Sequence, residues 1–200
     1  MLIPDYDPDK YKFEFEDIYY EGYLVNAPII WKVGRIAKYL HDHVFPDAKR
    51  AVAVGSELSS LLLAFSIVEY LAGFYAGKQS NKYHFMSFLG AFFPSEYAPY
   101  SSAIYDHLRN GLVHNLTLLN PWIPTNFEFI IEADSDLHLK NKDGKVVFSI
   151  KHFIKDVAFA HGMHSYLLVM RPKEYPHLIK NFERRFNRKS GLSSTMVKIP

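Results

Sequence analysis

The stretch "AVAVGSELSSLLLAFSIVEYLAGFYA", Ala51 to Ala76, constrains this chain more than any other because it is apolar nearly all round. A helix with one apolar stripe can lie on a surface, whereas one that is apolar on every side has to be enclosed by other elements. The spacing predicts a helix over 51–76, stopped at Gly77, in the middle of a helical bundle. The longest apolar run within it, "LSSLLLAFSIV", lies between Glu57 and Glu69. That run is too short to span a bilayer, so no membrane partner is expected.

The flanking segments supply the enclosure. Ile29, Val33, Ile36, Ala37 and Leu40 recur at helical intervals in a segment that Pro46 and Asp47 are expected to end. "NKYHFMSFLGAFFP" reads as a shorter helix broken at Pro94. A fourth helix starts between Pro99 and Ser102 and runs to Leu118, with Pro121 and Pro124 closing the region. "FEFIIEA", "DLHLK" and "KVVFSI" then read as strands, the last two joined by a turn at Lys142, Asp143 and Gly144. From Ile150 the helical period returns, and after Pro172 and Pro176 a basic helix covers 178–188.

The expected fold is mainly α, a helical bundle with a small antiparallel β-hairpin or sheet inserted near 127–150, in a single domain over 1–200. Its parts are an acidic, aromatic arm (1–28) with at most a short strand, a helical core (29–118), the hairpin region (119–150) and the C-terminal helices (150–188). A chain of 200 residues buries about 70% of its unfolded surface and needs no staples. The absence of cysteine excludes disulfides, zinc-thiolate sites, iron-sulfur clusters and thiol nucleophiles. The start lacks a basic n-region and an apolar h-region, so no signal peptide is expected and a cytoplasmic setting is the default.

Charge is distributed unevenly. Asp5, Asp7, Asp9, Glu14, Glu16, Asp17 and Glu21 make the beginning acidic, and Arg171, Lys173, Lys180, Arg184, Arg185, Arg188 and Lys189 make the end basic. Such asymmetry suits nucleic-acid contact by the tail, and equally a solvated face or mutual attraction of the two ends.

The densest chemistry is in "YDHLRNGLVHN", Tyr105 to Asn115. On a helical wheel Ile104, Tyr105, Leu108, Leu112 and Leu116 form the apolar stripe, and Asp106, His107, Asn110 and His114 fall on the opposite side with Arg109 at the border. Gly111, which weakens a helix interior by about 1 kcal/mol relative to alanine, lies beside His107 and His114 and admits a close approach there.

"RNGLVH", Arg109 to His114, resembles the R-x4-6-H signature of the HEPN superfamily (higher eukaryotes and prokaryotes nucleotide-binding), in which a polar residue, often asparagine, follows the arginine. The resemblance covers about residues 29–118 and implies a HEPN-like helical bundle and a metal-independent endoribonuclease. Arg109, Asn110 and His114 match the motif as catalytic residues, with His107 and Asp106 as binding neighbours on the same face. It further implies a homodimer whose motif helices meet in a composite site, RNA as substrate, no cofactor and no metal. A role as a toxin or phage-defence effector, with an antitoxin or other protein partner, comes by the same route.

The residue types fit the reaction. Transesterification by the 2'-hydroxyl needs a proton removed, charge on the phosphoryl oxygens stabilised and the 5'-oxygen protonated. Histidine suits the proton transfers and arginine the phosphate. Other readings stand beside this one. Arg109 can pair with Glu69 or Asp106 while His114 caps a loop, leaving a HEPN-like interaction module that binds protein or nucleic acid without chemistry. His161 and His164, at i and i+3, could join His114 in a three-histidine metal site. His41 and His43 point to different sides of their helix. Glu57 and Glu69, on the enclosed helix, each need a partner. No phosphate-cradling glycine loop, Walker sequence or G-x-S-x-G elbow is present, which sets aside nucleotide and serine hydrolysis.

Overall fold

A computed structural model describes residues 28–115 and 127–190. The acidic arm before Pro28, the end of the fourth helix at Leu116 to Leu118, and Pro121 and Pro124 lie outside the described residues. What is described is mainly helical, six helices and a small three-stranded sheet.

The first helix, α1, is continuous in backbone conformation but built of three segments, Ile29–Tyr39, a π turn at Leu40–Val44, and Phe45–Ala53. Pro46 does not end it, contrary to the expectation from sequence. The π turn just before the proline closes with Phe45 N–H donating to Leu40 O, five residues back. That wider turn lies where the missing proline N–H and its ring disrupt α-helical bonding. The break comes instead at Gly55, whose φ of +74° suits a residue without Cβ, and α2 is Glu57–Ala76. The single helix expected over 51–76 is therefore the end of α1, a glycine turn and α2. The seam is held by Ser60 Oγ, which donates to Ala48 O at 2.9 Å.

Leu61, Ala64, Phe65, Val68, Leu71 and Ala72 of α2 are all buried. With mean hydropathy 1.6 over its most apolar window, α2 is long and apolar enough to cross a bilayer by length and composition, because the helix runs on past Glu69; 56% of that window is buried inside the protein. The third helix, α3, is Lys82–Phe92, with Asn81 as its N-cap accepting from His84 N–H at 3.0 Å. A 3-10 turn at Ser95–Tyr100 leads into α4, made of Ser101–Ala103, a second π turn at Ile104–Arg109, and Asn110–Asn115.

The sheet consists of β1 (Phe129–Glu132), β2 (Asn141–Lys142) and β3 (Lys145–Ser149), in the order β1-β3-β2. The expected hairpin is present as β2 and β3, antiparallel, with Asp143 and Gly144 both at positive φ in the turn. Gly144 N–H is held by Asn141 Oδ1 at 3.0 Å. Left-handed backbone at both central positions, the type I′ turn, matches the twist of the two strands, and Asp-Gly adopts it readily. The sheet as a whole is mixed rather than antiparallel, since β1 runs parallel to β3 with Phe129 opposite Val146 and Ile131 opposite Phe148. "DLHLK" does not form the second strand. It is a turn in which Leu139 takes φ +58° and buries its side chain, and the segment returns the chain for the parallel pairing.

Ser149 caps α5 (Ile150–Met170), and Pro176 opens α6 (Pro176–Ser190). Phe65 of α2 meets Phe85 of α3, Phe148 of β3 and Phe153 of α5, so one aromatic cluster ties bundle to sheet. Two contacts show the basic α6 engaged with its own fold. Lys32 of α1, 2% exposed, lies 3.5 Å from Glu183 and over the Phe186 ring. Arg184 donates to Gly77 O and Ala76 O at the end of α2 at 2.9 and 3.0 Å, where the last carbonyls of a helix need donors.

Candidate functional site

The second π turn falls on the motif itself. Asn110 N–H donates to Tyr105 O, five residues back, so the helix widens over Ile104–Arg109 and returns to α-helical form at Asn110. Such turns are common where a helix re-aims side chains. Arg109 crosses to α2, its Nη2 donating to Glu69 Oε2 at 2.7 Å and its Nη1 to Asn110 Oδ1 at 2.6 Å. The guanidinium lies 5.3 Å from the Tyr105 ring centroid, and the two side chains of the ion pair are only 15% and 24% exposed. Nε of Arg109 is buried without a hydrogen-bond partner. Burial raises the Tyr105 hydroxyl above its ordinary value, with Arg109 acting against it.

The other motif residues separate. Asn110 is half-buried and in contact with Arg109, and His114 follows it at i+4 on the α-helical end, exposed to solvent. Asp106 bonds Lys82 of α3 and accepts from Ser102 Oγ at 3.2 Å, so it serves the α3–α4 contact. His107 is 3% exposed and turned into the protein, not onto the polar face that the wheel assigned it, and Gly111 is buried too. Two causes combine. A wheel drawn at a constant angle does not hold across a π turn, and α4 packs against both α2 and α3, so its covered arc is wider than its apolar stripe.

Glu69 is thus the partner of Arg109. Glu57, expected to be enclosed, is exposed in the first turn of α2, where its charge complements the helix N-terminus. His161 and His164 are 2% exposed and face different surroundings. His161 lies near His41 and Phe45, and His164 is ringed by Tyr75, Phe88 and Phe92 with Nε2 left without a partner. Among the described residues no three histidine, aspartate or glutamate side chains converge as a metal site.

Sequence reasoning missed one cluster entirely. Ser149 N–H donates to His138 Nδ1 at 2.9 Å, which places the ring proton of the neutral imidazole on Nε2. Nε2 faces the Tyr97 hydroxyl at 2.7 Å, and that hydroxyl donates to Asp156 Oδ2 at 2.6 Å. His152 stacks on His138, centroids 5.7 Å apart. The chain of bonds joins the 3-10 turn, the sheet and α5. Burial, then Asp156, holds the Tyr97 hydroxyl far above its ordinary range, and burial raises Asp156. No spacing in the sequence announces a cluster assembled from four separate segments.

Burial and the neighbouring His152 bring His138 down to about 4. His161 and His164 fall to about 3, through burial in both cases and, for His161, nearby His41 and His164 as well. The unfolded chain protonates these rings near 6.5 and the folded one does not. Their contribution to stability is therefore complete above about pH 7 and is lost as pH falls through 6.5 toward the folded values. Asp156, raised by burial, opposes part of this. The expected result is a melting temperature that declines between pH 7 and 4, with a shallower decline in His164→Leu, which removes one of the protonation steps; an unchanged slope in that variant contradicts the assignment.

A cleft of about 390 Å3 between α3, the 3-10 turn and Met163 is lined by apolar and small side chains such as Met86, Phe92, Phe93 and Ala98, with no ionisable group among them. No family model, no curated protein and no solved structure matches the chain, so the site rests on its own residues.

Proposed function

We propose that the chain is a metal-independent endoribonuclease, cytoplasmic and dimeric, with His114 and Arg109 central and Asn110 assisting. The observation that carries the reading is the pairing, on one helix, of a guanidinium already held in place with an imidazole left in solvent. Arg109 uses one hydrogen on each of Nη1 and Nη2 internally and its Nε is buried, so the second hydrogens of Nη1 and Nη2 are the donors left for an incoming phosphate. Fixing the side chain beforehand removes the entropy cost of ordering it around substrate.

In the reaction the 2'-hydroxyl oxygen attacks the adjacent phosphorus, its proton passes to one His114, and the 5'-oxygen leaves with a proton from the other copy's His114. The products are a 2',3'-cyclic phosphate and a free 5'-hydroxyl. Two copies are invoked because the attacking 2'-oxygen and the leaving 5'-oxygen lie on opposite sides of the phosphorus in an in-line displacement, beyond the reach of a single imidazole. A toxin or phage-defence setting, with a neutralising protein partner, accords with such an activity.

A second reading has its own support. The Glu69 carboxylate cancels the charge of Arg109, which suits an interaction module of the same fold without chemistry. Incubating the purified chain with single-stranded RNA in excess chelator separates the two. Cleavage leaving cyclic phosphate ends is expected; intact RNA at equimolar protein excludes the nuclease and leaves the module.

A further inference from the structure

The ion pair raises a question of charge. With Glu69 beside it, Arg109 offers a phosphate directional N–H groups but little net attraction. A nuclease built on this residue needs another cation on the same surface. Glu69 and Gly73 are four residues apart, one turn along the same face of α2, about 6 Å from one another. Over Gly73 lies the guanidinium of Arg185 from α6, with Nε 3.4 Å and Nη2 3.7 Å from the position a Cβ there would occupy. Its Nε is buried without a hydrogen-bond partner, as is that of Arg109. Two arginines therefore lie one turn apart along α2, one delivered by α4 and the other by α6; with each Nε shielded, a phosphate meets them through their Nη groups.

The local sequence serves this placement. Gly73 leaves room for Arg185 against the helix, and the neighbouring Arg184 pins α6 to the end of α2 through Ala76 O and Gly77 O. Lys82 binds Asp106, running antiparallel to the Glu69–Arg109 contact, so α4 passes along α2 with Asp106 toward the α6 end and His114 away from it. The order along the surface is Arg185, Arg109, His114.

We propose that Arg185 is a second phosphate-binding residue of the site, taking a backbone phosphate next to the one held by Arg109, so that single-stranded RNA lies along α2 from α6 toward His114. The proposal rests on the ribonuclease reading. Arg185 binds and does not transfer protons, so its removal weakens KM and leaves kcat.

The test measures cleavage kinetics and RNA binding by the full chain in chelator at several salt concentrations, for the parent, Arg185→Gln and Arg185→Lys. In Arg185→Gln a rise in KM of about tenfold is expected, with kcat within a factor of about two and the slope of log affinity against log salt reduced by about 0.7, the share of one phosphate contact to a single strand. Arg185→Lys keeps the slope, since it keeps the charge. Melting temperature moves little in either, because glutamine and lysine keep most of the aliphatic stem of the side chain. An active parent with an unchanged KM and slope in Arg185→Gln overturns the role of Arg185 and leaves the nuclease standing. A parent that neither binds nor cleaves RNA removes both.

Discussion

In His114→Ala, RNA cleavage falls by about 10²- to 10⁴-fold, the usual contribution of a proton-transfer group, while the unfolding midpoint stays where it is in the parent. Both halves follow from exposure. His114 stands in solvent at the end of α4, so its removal opens no cavity. Stopped-flow or gel kinetics with end-labelled RNA give the first quantity and thermal melting the second. A variant that cleaves at the parent's rate would falsify the assignment of His114. The same experiment on Arg109→Ala is less clean, because it leaves the Glu69 carboxylate, 24% exposed, without its cation. Arg109→Lys is the better choice: it preserves the charge on Glu69 but loses the planar fork and the contact with Asn110. Cleavage should fall there with smaller loss of stability. On the proposed mechanism, in which the base comes from one copy and the acid from the other, mixing parent with His114→Ala chains should lower activity more than dilution alone does.

Helices were legible in the sequence wherever an apolar stripe or a cap marked them. Gly77 is the stop that its residue type predicts, and the structure adds Asn81 and Ser149 as N-caps. The errors are all places where a local rule was outweighed. Pro46 is absorbed by a π turn, which periodicity cannot reveal. The break at Gly55 was hidden because apolar residues continue on both sides of it, although Gly-Ser-Glu is a turn followed by a helix start. The parallel pairing of β1 depends on partner strands far apart in sequence. At the site, the residue types of Arg109, Asn110 and His114 were visible, and Glu69 was one of two carboxylates open to Arg109. The inward turn of His107 was not visible, since it follows from what packs against α4 rather than from α4. Arg185 left a faint signal, a glycine inside the apolar α2 beneath an arginine-rich last helix.

Gly77→Ala should destabilise the fold by roughly 3–5 kcal/mol, a large share of a domain's total. Gly77 has φ +69° at the C-terminal end of α2, where a Cβ alone costs about 1–2 kcal/mol. That Cβ would also stand 2.8 Å from Asn181 Cα and 2.6 Å from Arg184 Nη2. The arginine can swing away, but the backbone of α6 cannot yield without moving the helix. Moving it breaks the bonds from Arg184 to Gly77 O and Ala76 O and from Asn181 to Tyr75 O, each contributing about 0.5–3 kcal/mol. At this chain length the loss lowers the melting temperature by about 10 °C, and urea titration reads it as a lower midpoint with an unchanged slope. Gly73→Ala is the control. Its backbone needs no positive φ, and its Cβ would meet Lys78 O at 3.1 Å and, at ordinary contact distance, the end of the Arg185 side chain, which can shift without moving α6, so its cost in stability is smaller. It should nevertheless weaken RNA binding by lifting Arg185 off α2. A Gly77→Ala protein as stable as the parent would mean that α6 is not seated on the end of α2, and that Arg185 has no fixed place beside Arg109.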